Sequence, residues 1–255
     1  MIDCVKKALD ILSALADGEQ SPVTVSRLAE IVGINRSTCC RILSTLKECG
    51  YVEHVSHSAG YILGPEAYLL SRFGKYDETL ISICKPIMNW LYKKTGKTII
   101  LSTIKNGVKF VVEAIDKNQE IFKGNLTIRR DNIYHTATGR LLLANMDKND
   151  AVAVYRKSGT PPKNWWGDIG CEEDFLKKLA QVNKKGPIKS EYINEKTGDC
   201  TIGFGAALYK GTKCIGAIGV ALHTERDADV SKELAEIEKN LRIAAREINR
   251  RLSYN

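Results

Sequence analysis

At 255 residues the chain has room for two domains, each burying its own core, and its 44% apolar and 27% charged content is that of a globular protein rather than a disordered or fibrous one. No apolar run reaches the roughly 18 to 20 residues that span a bilayer, and the N-terminal stretch places acids inside an amphipathic pattern, so neither a membrane anchor nor a signal peptide is expected and the expected location is cytoplasmic. The formal charge of +8 does not point to nucleic acid by itself: residues 1–77 carry eight Lys and Arg against nine Asp and Glu, so the excess lies in residues 78–255.

In chain order, a first helix is expected over about Cys4 to Ala16, with Val5, Ala8, Leu9, Leu12 and Leu15 on one stripe and Asp17-Gly18-Glu19 ending it. Thr24 then caps a helix whose apolar positions are Val25, Leu28, Ala29 and Val32, and Gly33 supplies the positive φ that stops it. Asn35 restarts the chain as an N-cap. From Arg36 to Cys49, Cys39, Ile42, Leu43 and Leu46 fall on one face and Ser37, Arg41, Ser44 and Thr45 on the other. Two short helices joined by a tight turn read as a helix-turn-helix, against the alternative of an ordinary helical hairpin. The second helix carries no acid between Ile31 and Lys47, and Arg with small hydroxyls suits a major groove. The candidate DNA-contacting residues are Arg36, Ser37, Thr38, Arg41, Ser44, Thr45 and Lys47. Tyr51 to His54 and Tyr61 to Leu63 then read as a β-hairpin wing, whose tip adds His57, with Ser56 and Ser58 beside it.

Gly64-Pro65 marks a boundary, and Glu66 to Phe73 reads as a linker helix. The expected division is a winged helix-turn-helix domain over 1–65, a linker helix over 66–78 and a second domain over 79–255. In the second, Leu80 to Thr95 is helical, and the strands Thr98 to Ile104 and Val108 to Ile115 flank Asn106-Gly107, a strong hairpin signal. Helices follow at about Thr138 to Met146 and Asp150 to Tyr155, then a loop holding Pro161-Pro162 and Trp165-Trp166, a helix at Glu172 to Asn183 and a strand at Ile188 to Ile193. Strands Ile202 to Tyr209 and Cys214 to Leu222 precede a closing helix with Leu234, Ile237, Leu241, Ala245, Ile248 and Leu252 on one stripe. Antiparallel strands with helices beside them give an α+β domain.

No motif for enzyme chemistry is visible. Gly203-Phe204-Gly205-Ala206-Ala207-Leu208 lacks the third Gly of a dinucleotide loop, and His54, His57, His135 and His223 have no metalloprotease spacing and read as surface or capped residues. The eight cysteines form no CxxC pair, which fits a reducing compartment. A metal site from Cys200, Cys214 and His135 or His223, or a redox switch at Cys39-Cys40, is the alternative sensor chemistry. No cofactor and no metal are expected.

With both halves read, the chain resembles the IclR family of bacterial transcriptional regulators over essentially its whole length. The resemblance lies in VSRLAEIVGINRSTCCRILSTLKECGYV, in HTATGRLLLA at 135–144 and in GAIGVALHTER at 216–226. It implies a GAF-like C-terminal domain, binding to a double-stranded DNA operator as a homodimer or dimer of dimers, and control by a small-molecule effector. The effector positions it implies are Ala137, Thr138, Gly203, Gly219 and Ala221, with an acidic position near Ile193 or Asn194 not fixed. Family members that bind small keto acids carry hydroxyls or a thiol at the last three, where this chain has Gly, Gly and Ala. The expectation is therefore a cavity that takes a carboxylated ligand larger than a two- or three-carbon keto acid, at the N-terminus of the helix at 138. Ile202, Phe204 and Ile218 or Val220 are its expected apolar walls.

Overall fold

The computed structural model describes residues 2–16, 22–56, 58–73, 78–116, 133–193, 200–225 and 229–254. The expectations for Asp17-Gly18-Glu19, His57, Asn194 and Arg226 lie outside them. The chain divides into two compact units, Met1–Tyr76 and Asp77–Asn255.

The first unit holds α1 (Asp3–Ala16), α2 (Val25–Val32), α3 (Arg36–Glu48), β1 (Val52–Ser56), β2 (Gly60–Leu63) and α4 (Pro65–Phe73). Its core is Ile11, Leu15, Val23, Leu28, Ala29, Cys39, Ile42, Leu43, Leu46 and Val52. The stripe expected on α1 is corrected. Ile11 is fully buried, whereas Val5 and Leu9 are 54% and 59% exposed. Apolar residues lie on both sides of this helix, so periodicity alone does not choose the buried one. The hairpin β1–β2 is antiparallel and is fastened to the helices by a bridge between Val23 and Tyr61, with backbone bonds of 2.9 and 2.8 Å. Gly60 (φ +103°) makes this fastening possible, because a Cβ there would stand 2.2 Å from the Val23 carbonyl oxygen.

The second unit runs α5 (Glu78–Thr95), β3 (Thr98–Lys105), β4 (Val108–Ile115), α6 (Ala137–Ala144), α7 (Lys148–Ser158), α8 (Lys163–Trp166), α9 (Glu172–Gln181), β5 (Ile188–Ile193), β6 (Cys200–Lys210), β7 (Lys213–Thr224) and α10 (Ser231–Leu252). The short α8 stands where a loop was expected: Pro162 holds the extended conformation that precedes a helix, and one turn forms before Gly167. The sheet is antiparallel in the order β4-β3-β7-β6-β5. One face carries Ile99, Leu101, Ile202, Phe204, Ile218, Val220 and Leu222 into a core with α5 and α10. The other face is covered by α6, all eight of whose residues are buried. A smaller core of Ile133, Tyr134, Leu143, Val154, Tyr155, Ile169 and Phe175 gathers α7 and α9 beside α6.

Candidate functional site

Two places in the chain concentrate chemistry, one in each unit. In the first, α3 starts abruptly because the Asn35 side chain caps it: Asn35 Oδ1 accepts from the Thr38 backbone N–H at 2.8 Å and from Ser37 Oγ at 2.8 Å. Gly33, in the left-handed region at φ +70°, closes α2 two residues earlier. Cys39, Ile42, Leu43 and Leu46 are buried, while Arg36, Ser37, Arg41, Ser44, Thr45 and Lys47 are exposed and Thr38 is half-buried. Among the described residues no acid pairs with Arg36, Arg41 or Lys47, whereas Arg27 on α2 is held by Glu30 at 2.8 Å. The hydroxyls are not alike. Ser37 donates to the cap and Thr45 Oγ1 donates back to the Arg41 carbonyl at 3.3 Å, so of the three exposed hydroxyls only that of Ser44 has no such intrahelical bond. On the hairpin, Ser56 Oγ accepts from the Ala59 N–H at 3.0 Å and lies 3.2 Å from Ser58 Oγ, so these serines shape the turn.

In the second unit, α6 lies directly on the sheet. Gly203 pairs with Ala221 and Gly205 with Gly219, and all four side-chain positions face α6 or β5 rather than the α5–α10 core. A Cβ on Gly219 would stand 2.7 Å from Thr138 Cγ2, and one on Gly205 would stand 3.0 Å from the Thr138 nitrogen. Of the five effector positions expected from the sequence, Gly219 lies against Thr138, Gly203 pairs with Ala221, and Ala137 lies against Gly205, so the space over Gly219 is occupied by Thr138. The part of the expected cavity that lies over Gly219 is filled by helix packing. Ile202, Phe204, Ile218 and Val220 belong to the opposite face, so they are not its walls. Nor is the helix end fully open: the Ala137 N–H donates to Ser190 Oγ at 2.9 Å, and the Gly139 N–H to Thr136 Oγ1 at 3.1 Å.

Beside this contact the structure places residues that the sequence reading did not assign. Lys109 on β4 is 8% exposed, and its Nζ donates to Thr136 Oγ1 at 2.9 Å. Burial pulls its ammonium down to about 8. His135, expected at the surface or in a cap, instead packs its ring between Trp165 and Tyr192, with centroids 5.1 and 5.2 Å away, and its Nδ1 is buried without a partner among the described residues. Burial, then Lys109 and Arg140, push His135 down to about 4, so the imidazole is neutral at pH 7. Arg140 is buried as well. Its Nε donates to the Tyr134 carbonyl at 2.6 Å, Nη2 donates to the Trp165 carbonyl, and the guanidinium lies over the Trp166 ring.

Residues 4–56 match the model of the IclR helix-turn-helix domain and residues 77–250 that of the bacterial transcriptional regulator IclR C-terminal domain. The chain belongs to the IclR family of bacterial transcriptional regulators. Among its relatives it is 27% identical to the HTH-type transcriptional regulator KdgR of Escherichia coli over 190 residues, 72% of this chain and 69% of that one. It is 24% identical to the E. coli regulator XynR over 260 residues, covering 100% of this chain and 98% of that one. An IclR homologue from Microbacterium hydrocarbonoxydans, crystallised with 4-hydroxybenzoate, has the same fold, with a TM-score of 0.72 and 15% identity over 99% of this chain and 100% of that one.

This IclR-family chain is accordingly a transcriptional regulator with a DNA-binding helix-turn-helix domain, not an enzyme. Among the described residues no helix is long and apolar enough to cross a membrane, and no three His, Cys, Asp or Glu side chains are placed to hold a metal ion. The metal site considered from Cys200 and Cys214 is ruled out by register. Cys200 pairs with Thr224 and Cys214 with Tyr209, at opposite ends of the β6–β7 ladder, about 30 Å apart at the usual strand rise. As for Cys39-Cys40, Cys39 is fully buried and its thiol is pushed up to about 11 by burial, which leaves little thiolate to react.

Proposed function

We propose that this regulator reads a double-stranded operator with α3 and that its operator affinity is set by a carboxylated small molecule bound in the C-terminal unit. The observation that carries the DNA half is the exposed face of α3, where Arg36, Arg41 and Lys47 stand without acidic partners among the described residues. Arg41, mid-helix, is assigned to a base edge, with Ser37, Ser44 and Thr45 flanking it; Arg36, Thr38, Lys47 and the wing residue His57 are assigned to the backbone. The protein acts as a homodimer or dimer of dimers in the cytoplasm. Its exposed apolar side chains support assembly: Ile2 just before α1, Val5 and Leu9 on α1, and Tyr68, Leu69 and Leu70 on α4, which serves as the linker helix.

For the effector half, Ala137 and Thr138 open α6, Gly219 on β7 lies under Thr138, and Gly203 and Ala221 pair beside them across the β6–β7 ladder. We assign them the coupling: a ligand at the start of α6 moves the helix against the sheet, and that displacement is read by the assembly. Coupling of this kind is typically about 1–3 kcal/mol. The 4-hydroxybenzoate held by the M. hydrocarbonoxydans homologue is in keeping with a carboxylate larger than a small keto acid.

The test is footprinting on a site selected from random DNA, with and without candidate carboxylates. Two protected half-sites with centres roughly 34 Å apart, one helical turn, are expected from a two-fold pair of winged helices. Protection of a single half-site by a protein that stays monomeric would overturn this reading.

A further inference from the structure

Lys109 is placed where a cation is least welcome. Its ammonium sits against Thr136, the N-cap of α6, at the end where the aligned peptide dipoles are positive. Among the described residues only one of its three N–H bonds has a partner, and no carboxylate forms an ion pair with it. Among the described residues, the groups that face it from neighbouring elements add no negative charge. Thr136 and His135 precede α6, Arg140 lies within it, Ile104 is its partner across on β3, and the rings packed against His135 are those of Trp165 on α8 and Tyr192 on β5. Arg140 has Nε and Nη2 committed to backbone carbonyls. An ion taken out of water without a counter-charge costs several kcal/mol, so a fold that keeps one in this position keeps a place for an anion.

We infer that Lys109 is the counter-charge for an organic monocarboxylate, whose two oxygens take the free Nζ hydrogens and whose apolar body lies toward the half-buried rings of Trp165 and Tyr192. The inference rests on the effector-sensing reading and names its ligand class and anchoring residue. A phosphate dianion fits less well, because among the described residues no second cation with an uncommitted approach stands opposite Lys109. His135 Nδ1, buried and unpartnered among the described residues, offers one further neutral hydrogen-bonding position to the ligand. Because the free ammonium loses its proton at about 8, while a bound carboxylate stabilises the charged form, binding weakens as the pH rises past that value.

Calorimetric titration of the full chain with benzoate, its neutral isostere benzamide, pyruvate and inorganic phosphate, at pH 7 and pH 9, decides the matter. Benzoate is expected to bind, to bind about tenfold more weakly at pH 9, as the protonated fraction of Lys109 dictates, and to outrank pyruvate and phosphate; benzamide is expected not to bind. Lys109→Met should lose benzoate by at least an order of magnitude. Lys109→Arg, which keeps the charge and the fold, should bind and lose the pH dependence. Benzoate bound equally well by wild type and Lys109→Met, with no change between the two pH values, overturns the role of Lys109 and leaves effector control standing. Benzamide or phosphate bound as tightly as benzoate overturns the ligand class. Absence of binding by every carboxylate up to millimolar concentration overturns the inference. Operator binding measured on the same preparation shows whether the regulator reading falls with it.

Discussion

Gly219→Ala adds a single methyl group, and the structure says where it goes: 2.7 Å from Thr138 Cγ2 and 3.1 Å from the Phe204 carbonyl oxygen. Both lie inside ordinary contact distance, and Thr138 has little room to retreat because it is 5% exposed at the start of a fully buried helix. Overpacking of this kind costs about 1–3 kcal/mol. For a unit of this size each kcal/mol lowers the midpoint by roughly 2–4 °C. The three tryptophans, Trp90, Trp165 and Trp166, all lie in the C-terminal unit, so their fluorescence follows its unfolding in the intact chain. Thr138→Ser removes the methyl that is struck, so the double variant should recover most of the loss, a coupling that independent sites would not show. Gly219→Ala that unfolds like wild type would mean that α6 does not rest on the sheet through Gly219 and that a void is present there after all.

Leu43→Ala, at a fully buried position of the first core, should cost about 2–5 kcal/mol and abolish operator binding; unchanged binding would show that α3 does not depend on that core. Titration of the C-terminal unit should show two windows. His135, depressed to about 4 from an ordinary 6.5, makes stability fall as pH drops from 6.5 toward 4, because the unfolded chain takes up the proton first. Lys109, depressed to about 8 from 10.5, holds stability down below pH 8 and releases it as pH rises toward 10.5, a gain that Lys109→Met should abolish. Thiol labelling of the native protein should proceed quickly at the exposed Cys4, Cys40, Cys49 and Cys171 and slowly at the buried Cys39, Cys84 and Cys200; fast modification of Cys39 would restore the redox reading.

The elements of the DNA-binding unit were legible because their signals are local. Thr24 and Asn35 both cap the helices they precede, and in the second unit Asn106-Gly107, an equally local signal, turns a hairpin with φ of 51° and 74° at the two residues. What sequence could not supply was parity. The β3–β4 ladder has an irregularity between Leu101 and Ser102, which breaks the alternation along β4 and hides that Lys109 faces inward with Ile104. On β6 the choice between Phe204 and Gly205 as the α6-facing residue depends on pairing with β7 and on the depth at which α6 sits, both long-range. The small residues at 203, 219 and 221 read equally as a hole or as a close approach of two elements, and only the position of Thr138 separates the two. His135 reads as a surface or capped residue in the sequence for a related reason: its neighbours Trp165 and Tyr192 lie 30 and 57 positions along the chain.

The role of α3 as the reader of the operator is tested most directly by the affinity of Arg41→Ala. Fluorescence anisotropy on the selected operator and on scrambled DNA of equal length, at one fixed salt concentration, separates base reading from phosphate contact. Loss of a bidentate Arg contact costs roughly 1–3 kcal/mol on the operator, about 5- to 150-fold in affinity, and relaxes preference at one base position. Scrambled DNA should lose much less. Arg41→Ala binding the operator as tightly as wild type, with the same sequence preference, would contradict the assignment of α3 as the recognition helix.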